Sequence, residues 1–305
     1  MRRLYLSIVA LLMAIVPASS AQAGEERIAP VTGSNWIVDF GDQRCRLMRQ
    51  FGNSERPTIL MIDKLFPGQT VAITIAGPDV RLFTARTEVG LRFGPTSADP
   101  VKVRSAAARF DDYGRALFRP SFVIGPPSMS QPSLDSAAGN SAFDVKGLPQ
   151  FDLDYVKSIE WLEISRRSNS LVMELPQMGE ALRLLDQCTQ DFLTYWGLDL
   201  EGHKTMTRLA EPINIEEIAR EIQKVYPMQA FMAGEQASVN MRIIVDADGS
   251  ITECAINDIS ATRYIKSNAC DVFGDRAMFA PAEDSSGNAM KSYFNVTIRY
   301  VISDR

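Results

Sequence analysis

From Trp36 to about Leu175, apolar and polar residues alternate with a period of two. Val71, Ile73 and Ile75 alternate with Ala72 and Thr74, and Val89, Leu91 and Phe93 alternate with Glu88, Gly90 and Arg92. Alternation of this kind marks strands with one buried face. The same reading predicts strands over 36–40, 44–49, 58–63, 80–84, 100–104, 158–165 and 170–175. Pro67–Gly68 and Gly77–Pro78 punctuate them, as turn residues do. Many short strands at this spacing predict a sandwich-like or barrel-like domain. Residues 125–142, rich in Ser, Pro, Gly and Ala, break the pattern and read as a mobile loop of this domain.

The period then changes. Met178, Ala181, Leu182, Leu185, Cys188, Phe192 and Tyr195 recur at spacings of three and four, one apolar stripe of a helix over 177–196 that closes the domain. The stretch 199–213 is polar and irregular and reads as a linker. Asn214, with Glu217 three residues on, has the form of a helix start, and Ile215, Ile218, Ala219, Ile222 and Val225 follow as its apolar face. Val239, Met241, Ile243 and Val245 form a strand, Asp246–Gly249 a tight turn, and 251–256 the return strand of a hairpin. A helix over 261–276 and a last strand ending in Phe294, Val296, Ile298, Tyr300 and Ile302 complete a small α+β unit. The whole is an α+β chain of two domains, 24–198 and 214–305, joined by 199–213.

The N-terminus sets the compartment. Met1–Arg2–Arg3, an apolar run from Leu4 to Val16, Pro17, and Ala21–Gln22–Ala23 have the layout of a cleaved signal peptide, residues 1–23. The apolar run is shorter than the roughly 20 residues a membrane span needs. Cleavage after Ala23 removes Arg2 and Arg3 and no acid, taking the formal charge from −5 to −7. A soluble, exported, acidic product follows, and an acidic surface argues against nucleic acid as a partner. In an oxidising compartment Cys45, Cys188, Cys254 and Cys270 are read as disulfides. Three pairings are open to them; the economical one joins Cys254 to Cys270 and Cys45 to Cys188.

Candidate catalytic and metal chemistry is thin. Asp246-x-Asp248-Gly249 looks like part of a calcium loop. Aligned on Gly249, however, positions 1 and 12 fall on Ile244 and Ala255 where carboxylates belong. A plain hairpin turn accounts for it. Asp111–Asp112 and Asp152/Asp154 read as solvated loop acids. His203, the sole histidine, sits in the polar linker without a nucleophile motif and reads as a surface residue. No enzyme, cofactor or metal is expected.

Residues 226–302 resemble the C-terminal domain of the TonB energy-transducer family. The resemblance rests on Tyr226–Pro227, Val245–Asp246–Ala247–Asp248–Gly249, Phe279–Ala280–Pro281–Ala282, Gly287 and the aromatic-rich last strand. It implies a periplasmic domain with helices packed on a three-stranded antiparallel sheet. The Cys254/Cys270 pair suits the disulfide-bearing members of the family. The last strand would offer its edge to a peptide of an outer-membrane receptor or another envelope protein by strand addition. Carried onto this chain, that edge is Ser292, Tyr293, Phe294, Asn295, Val296, Thr297, Ile298, Arg299 and Tyr300, with Asn295, Thr297 and Arg299 setting the register. The alternatives are that this strand is covered by the first domain or by a second copy of the chain. Another reading places ligand binding in the N-terminal domain and makes the C-terminal unit a dimerisation or docking module. The chain departs from the family in two respects: the N-terminus reads as cleavable, and a folded domain replaces an extended Pro-rich spacer. Force from the inner membrane then has no covalent route to a receptor. The first domain is similar to exported invasion-associated locus B proteins in its Trp-led first strand, early Cys and late Cys-bearing helix; this likeness carries no function over.

Overall fold

A computed structural model describes residues 24–84, 88–96, 98–104, 106–129, 131, 138–139, 146–224, 227–235, 237–258 and 263–300. The signal segment 1–23 lies outside the described residues, as does most of the loop 125–142. In chain order the first part contains β1 (Glu25–Ile28), β2 (Ile37–Phe40), β3 (Cys45–Phe51), β4 (Thr58–Lys64), β5 (Thr70–Ala76), β6 (Glu88–Gly94), β7 (Val101–Arg104), β8 (Ala106–Phe110), β9 (Gly114–Val123) and β10 (Ala138–Gly139). Helix α1 (Leu153–Lys157), β11 (Trp161–Arg166), β12 (Asn169–Glu174) and α2 (Met178–Tyr195) follow. Then come α3 (Leu200–Thr205), β13 (Glu211–Pro212), α4 (Ile215–Gln223), α5 (Met228–Ala233), β14 (Ala237–Val245) and β15 (Ile251–Asp258). The chain closes with α6 (Ala269–Arg276), β16 (Phe279–Ala280), β17 (Ala282–Glu283), β18 (Ala289–Met290) and β19 (Ser292–Tyr300).

Among the described residues, the N-terminal strands form two sheets, ordered β1-β12-β11-β6-β7 and β2-β3-β4-β5-β9-β8. The alternating positions that predicted strands supply one shared core. Leu47, Ile62, Ile73 and Leu117 from the larger sheet meet Leu91, Leu162, Ile164 and Met173 from the other, and Phe93 packs on Phe122 at 5.9 Å between ring centres. Helix α2 lays Met178, Leu182, Leu185 and Phe192 into the same core. It ends in a Schellman arrangement: Gly197 adopts φ 68°, its N–H donates to Thr194 O, and Leu198 N–H donates to Leu193 O. The Cys45–Cys188 disulfide ties α2 to β3, with the Cα atoms 6.0 Å apart.

Three local expectations change. Residues 80–84 form a turn rather than a strand; Val80 and Phe83 are apolar because the turn plugs the core. The ten-residue strand β9 lies where no strand is expected, because Arg115, Arg119 and Pro120 break its alternation. The stretch 199–213 is an ordered part of the fold, carrying α3 and β13, with Met206, Leu209 and Ala210 buried.

The C-terminal hairpin forms as the alternation indicated, with Gly249 at φ +85° in its turn, where a Cβ would lie 2.6 Å from Phe279 O. The last helix is shorter than 261–276: it starts at Ala269. Before it, Ile265 is buried, and Ser267 Oγ accepts from Tyr300 Oη at 3.0 Å. A short helix, α5, follows Pro227. The Cys254–Cys270 disulfide joins β15 to α6. The sheet differs from the expected three strands: its order is β10-β19-β14-β15, so a piece of the N-terminal region is built onto the antiparallel set. One face carries Met241, Ile243, Val245, Phe294, Val296 and Ile298, covered by Ile218 and Ile222 of α4 and Phe273 of α6. From the other face, Ile244 and Tyr293 enter the larger N-terminal core. The C-terminal sheet therefore sits between two cores.

Candidate functional site

Strand β19 is the residue set singled out for partner binding, and the structure encloses most of its side chains. Ser292, Tyr293, Phe294, Val296, Ile298 and Tyr300 are buried; Asn295, Thr297 and Arg299 are half-buried. On one side β19 pairs antiparallel along its whole length with β14, from Ser292 opposite Val245 to Tyr300 opposite Ala237. On the other side β10 pairs with it at two positions, Ala138 opposite Thr297 and Gly139 opposite Val296. The three residues expected to set the register, Asn295, Thr297 and Arg299, are only partly exposed. Thr297 Oγ1 donates to Asn240 Oδ1 at 2.5 Å, and Asn240 is 2% exposed. Arg299 lies close enough to the buried Arg119 of β9 for the two charges to repel. Burial, and secondarily that repulsion, pull the Arg119 guanidinium down to about 10, still charged at neutral pH.

The start of β19 is anchored by His203 and its neighbours. His203, expected at the surface, is fully buried in α3. Its Nδ1 lies 2.6 Å from Asp199 O and its Nε2 2.9 Å from Ser292 Oγ. With Nδ1 as donor to the carbonyl, Nε2 is left to accept from the serine hydroxyl, which suits a neutral ring. Burial lowers the His203 pKa, partly opposed by Asp199, so the ring is neutral at neutral pH. Tyr293 stacks against His203 at 6.0 Å and packs on Trp196 at 5.7 Å, and desolvation raises its phenol pKa. Arg242 of β14 lies over the Trp196 ring, 4.4 Å from its centre, and pairs with Glu253. A serine–histidine contact thus exists. Both groups are fully buried, and substrate has no approach to them. The clue to this helix was Asp199, an N-cap whose carboxylate accepts from Glu201 N–H at 3.1 Å.

The remaining candidates resolve into structure. Asp152 caps α1, accepting from Asp154 and Tyr155 N–H; Asp112 is exposed on a 3-10 turn. The Asp246–Gly249 segment is a hairpin turn in which Asp246 and Asp248 accept from nearby backbone N–H groups. A shallow cleft of about 540 Å³ lies at the start of α2, lined by Arg27, Lys157, Trp161, Glu174 and Glu180 among others. Its charges are of both signs and converge on no single ligand chemistry.

This geometry, a helix-backed antiparallel hairpin with a long final strand, invites comparison with known proteins. Residues 222–302 match the family described as Gram-negative bacterial TonB protein C-terminal. No curated protein and no solved structure matches the chain. The TonB C-terminal family is periplasmic and serves protein–protein contact in the cell envelope rather than catalysis. A TonB-like interaction unit accordingly occupies the last quarter of the chain. Two disulfides suit an oxidising compartment. Among the described residues no helix is long and apolar enough to cross a membrane.

Proposed function

We propose that the chain is an exported periplasmic protein that binds an outer-membrane receptor or another envelope protein by strand addition to Ser292–Tyr300. The family match over 222–302 carries this reading. The edge geometry supports it: among the described residues, pairing on the outer side of β19 is confined to Val296 and Thr297. A strand at the edge of a sheet takes up an incoming extended segment through its backbone donors and acceptors. The N-terminal signal is removed near Ala23, leaving Gly24 ahead of β1. The N-terminal domain holds the interaction unit through Trp196, His203 and the seam around Arg119, and no catalytic step is assigned to either part.

Co-sedimentation of the full chain with isolated outer membranes tests this. Thr297→Pro removes a strand N–H, and because β19 is paired on both sides there, it also lowers stability. Ile218→Ala, a core truncation distant from the edge, serves as the control for lost stability. Binding lost in Thr297→Pro and kept in Ile218→Ala is expected. Equal co-sedimentation of wild type and both variants contradicts the reading.

A further inference from the structure

Helix α5 turns large apolar side chains outward. Met228, Phe231 and Met232 stand at i, i+3 and i+4 and so share one helix face. All three are exposed, Met228 at 70% and Met232 at 81%. The helix is seated instead through Ala230, which is buried in the C-terminal core. We propose that Met228 and Met232 form an oxidation site. There a small two-electron oxidant of the hypohalous acid class converts both thioethers to sulfoxides, and this face becomes polar while the fold is kept. The inference is independent of strand addition to β19.

Three observations carry it. First, the thioethers are sorted by burial. Among the described residues Met232 and Met228 are the two most exposed methionines, whereas Met61, Met173, Met206 and Met241 are buried in the cores. Oxidation follows access to the sulfur. Second, the side chains that would compete for the oxidant are withdrawn. All four cysteines are in disulfides, so no thiol is offered, and His203, the sole histidine, is fully buried. Third, the helix is held with this face outward. Beyond its last turn Glu235 N–H donates to Ala230 O at 2.9 Å. The Glu235 carboxylate in turn accepts from Arg263 N–H and Tyr264 N–H, both at 2.9 Å. With hypochlorous acid the step needs no further reactant. One S–O bond forms and the O–Cl bond breaks; sulfur is oxidised by two electrons, chlorine is reduced to chloride, and the hydroxyl proton passes to water. The sulfoxide is polar where the thioether was apolar, and methionine sulfoxide reductases restore it.

The test treats the full chain, both disulfides intact, with limiting hypochlorous acid and locates sulfoxides by peptide mass spectrometry. Sulfoxide is expected at Met228 and Met232 about tenfold faster than at Met61, Met173, Met206 or Met241. A second arm replaces Met278, which is also exposed, by leucine, so that elution from a hydrophobic-interaction column reports on α5. The oxidised Met278→Leu chain should elute earlier, keep its melting temperature, and return to its original elution after treatment with methionine sulfoxide reductases. Adding Met228→Leu and Met232→Leu, which conserves apolar character and nearly conserves volume, should leave melting unchanged and abolish the oxidant-induced shift. Sulfoxide spread evenly over exposed and buried methionines, or absent from 228 and 232, overturns the proposal. So does a melting temperature that falls when only these two are oxidised, or an elution shift that survives their replacement.

Discussion

Lys64 and Asp186 form an ion pair sealed inside the N-terminal domain, one on β4 and the other on α2. Lys64 is fully buried, lies 4.1 Å from the centre of the Phe151 ring, and is pulled down in pKa by burial against the opposing pull of Asp186. Burial raises the Asp186 carboxyl, opposed by Lys64 and by Phe151 N–H. Removing one partner strands the other charge in a low-dielectric interior. Asp186→Ala should cost about 3–5 kcal/mol, and Lys64→Met combined with Asp186→Leu should recover most of it. Urea unfolding of the three chains checks both. His203 makes a second prediction. Its folded pKa is lowered, so the unfolded chain binds more protons once pH falls below about 6.5. The stability it contributes is complete above that pH and is lost as pH drops through the folded pKa. Because the chain has a single histidine, a fall in melting temperature from pH 7.5 to 5.5 that flattens in His203→Gln identifies it. A wild-type slope that the substitution leaves unchanged refutes it.

At the scale of elements, each disulfide fixes one helix to one strand. The loop closed by Cys254–Cys270 spans 16 residues and that closed by Cys45–Cys188 spans 143. Chain entropy makes these worth about 3 and about 5 kcal/mol. Replacing both cysteines of a pair by serine should therefore lower stability more at 45/188 than at 254/270, as measured by thermal melting. Elements with a clean period were legible in the sequence. Helix α2, the β14–β15 hairpin, β19 and most strands of the first domain follow from apolar residues at the spacing their geometry requires. Those that were not legible have physical reasons. Strand β9 carries buried Arg119 and a proline, and 80–84 is apolar because it plugs a core. The short α3 is polar outside and buries its one histidine. β10 consists of Ala and Gly, which carry no periodicity. The partner strand was legible as a strand and as part of a TonB-like unit. Its enclosure was not, because the covering residues, from Arg119 to His203, lie about 90 to 180 positions away in sequence.

For the molecule as a whole, the seam between the two parts decides what the interaction unit can do. Ile244 and Tyr293 turn their side chains from their own sheet into the N-terminal core, and Arg242, Trp196, His203 and Ser292 lock the same contact. The first part of the chain is accordingly a mount that holds β14 and β19 in place, and the proposal is that a partner adds to the outer edge of β19. In-cell photo-crosslinking from position 295, in the full-length chain with both disulfides intact, tests that account most directly. The account predicts a covalent adduct whose crosslinked peptide maps to an extended, periplasm-facing segment of an outer-membrane protein. Adducts confined to this chain or to a second copy of it would contradict it.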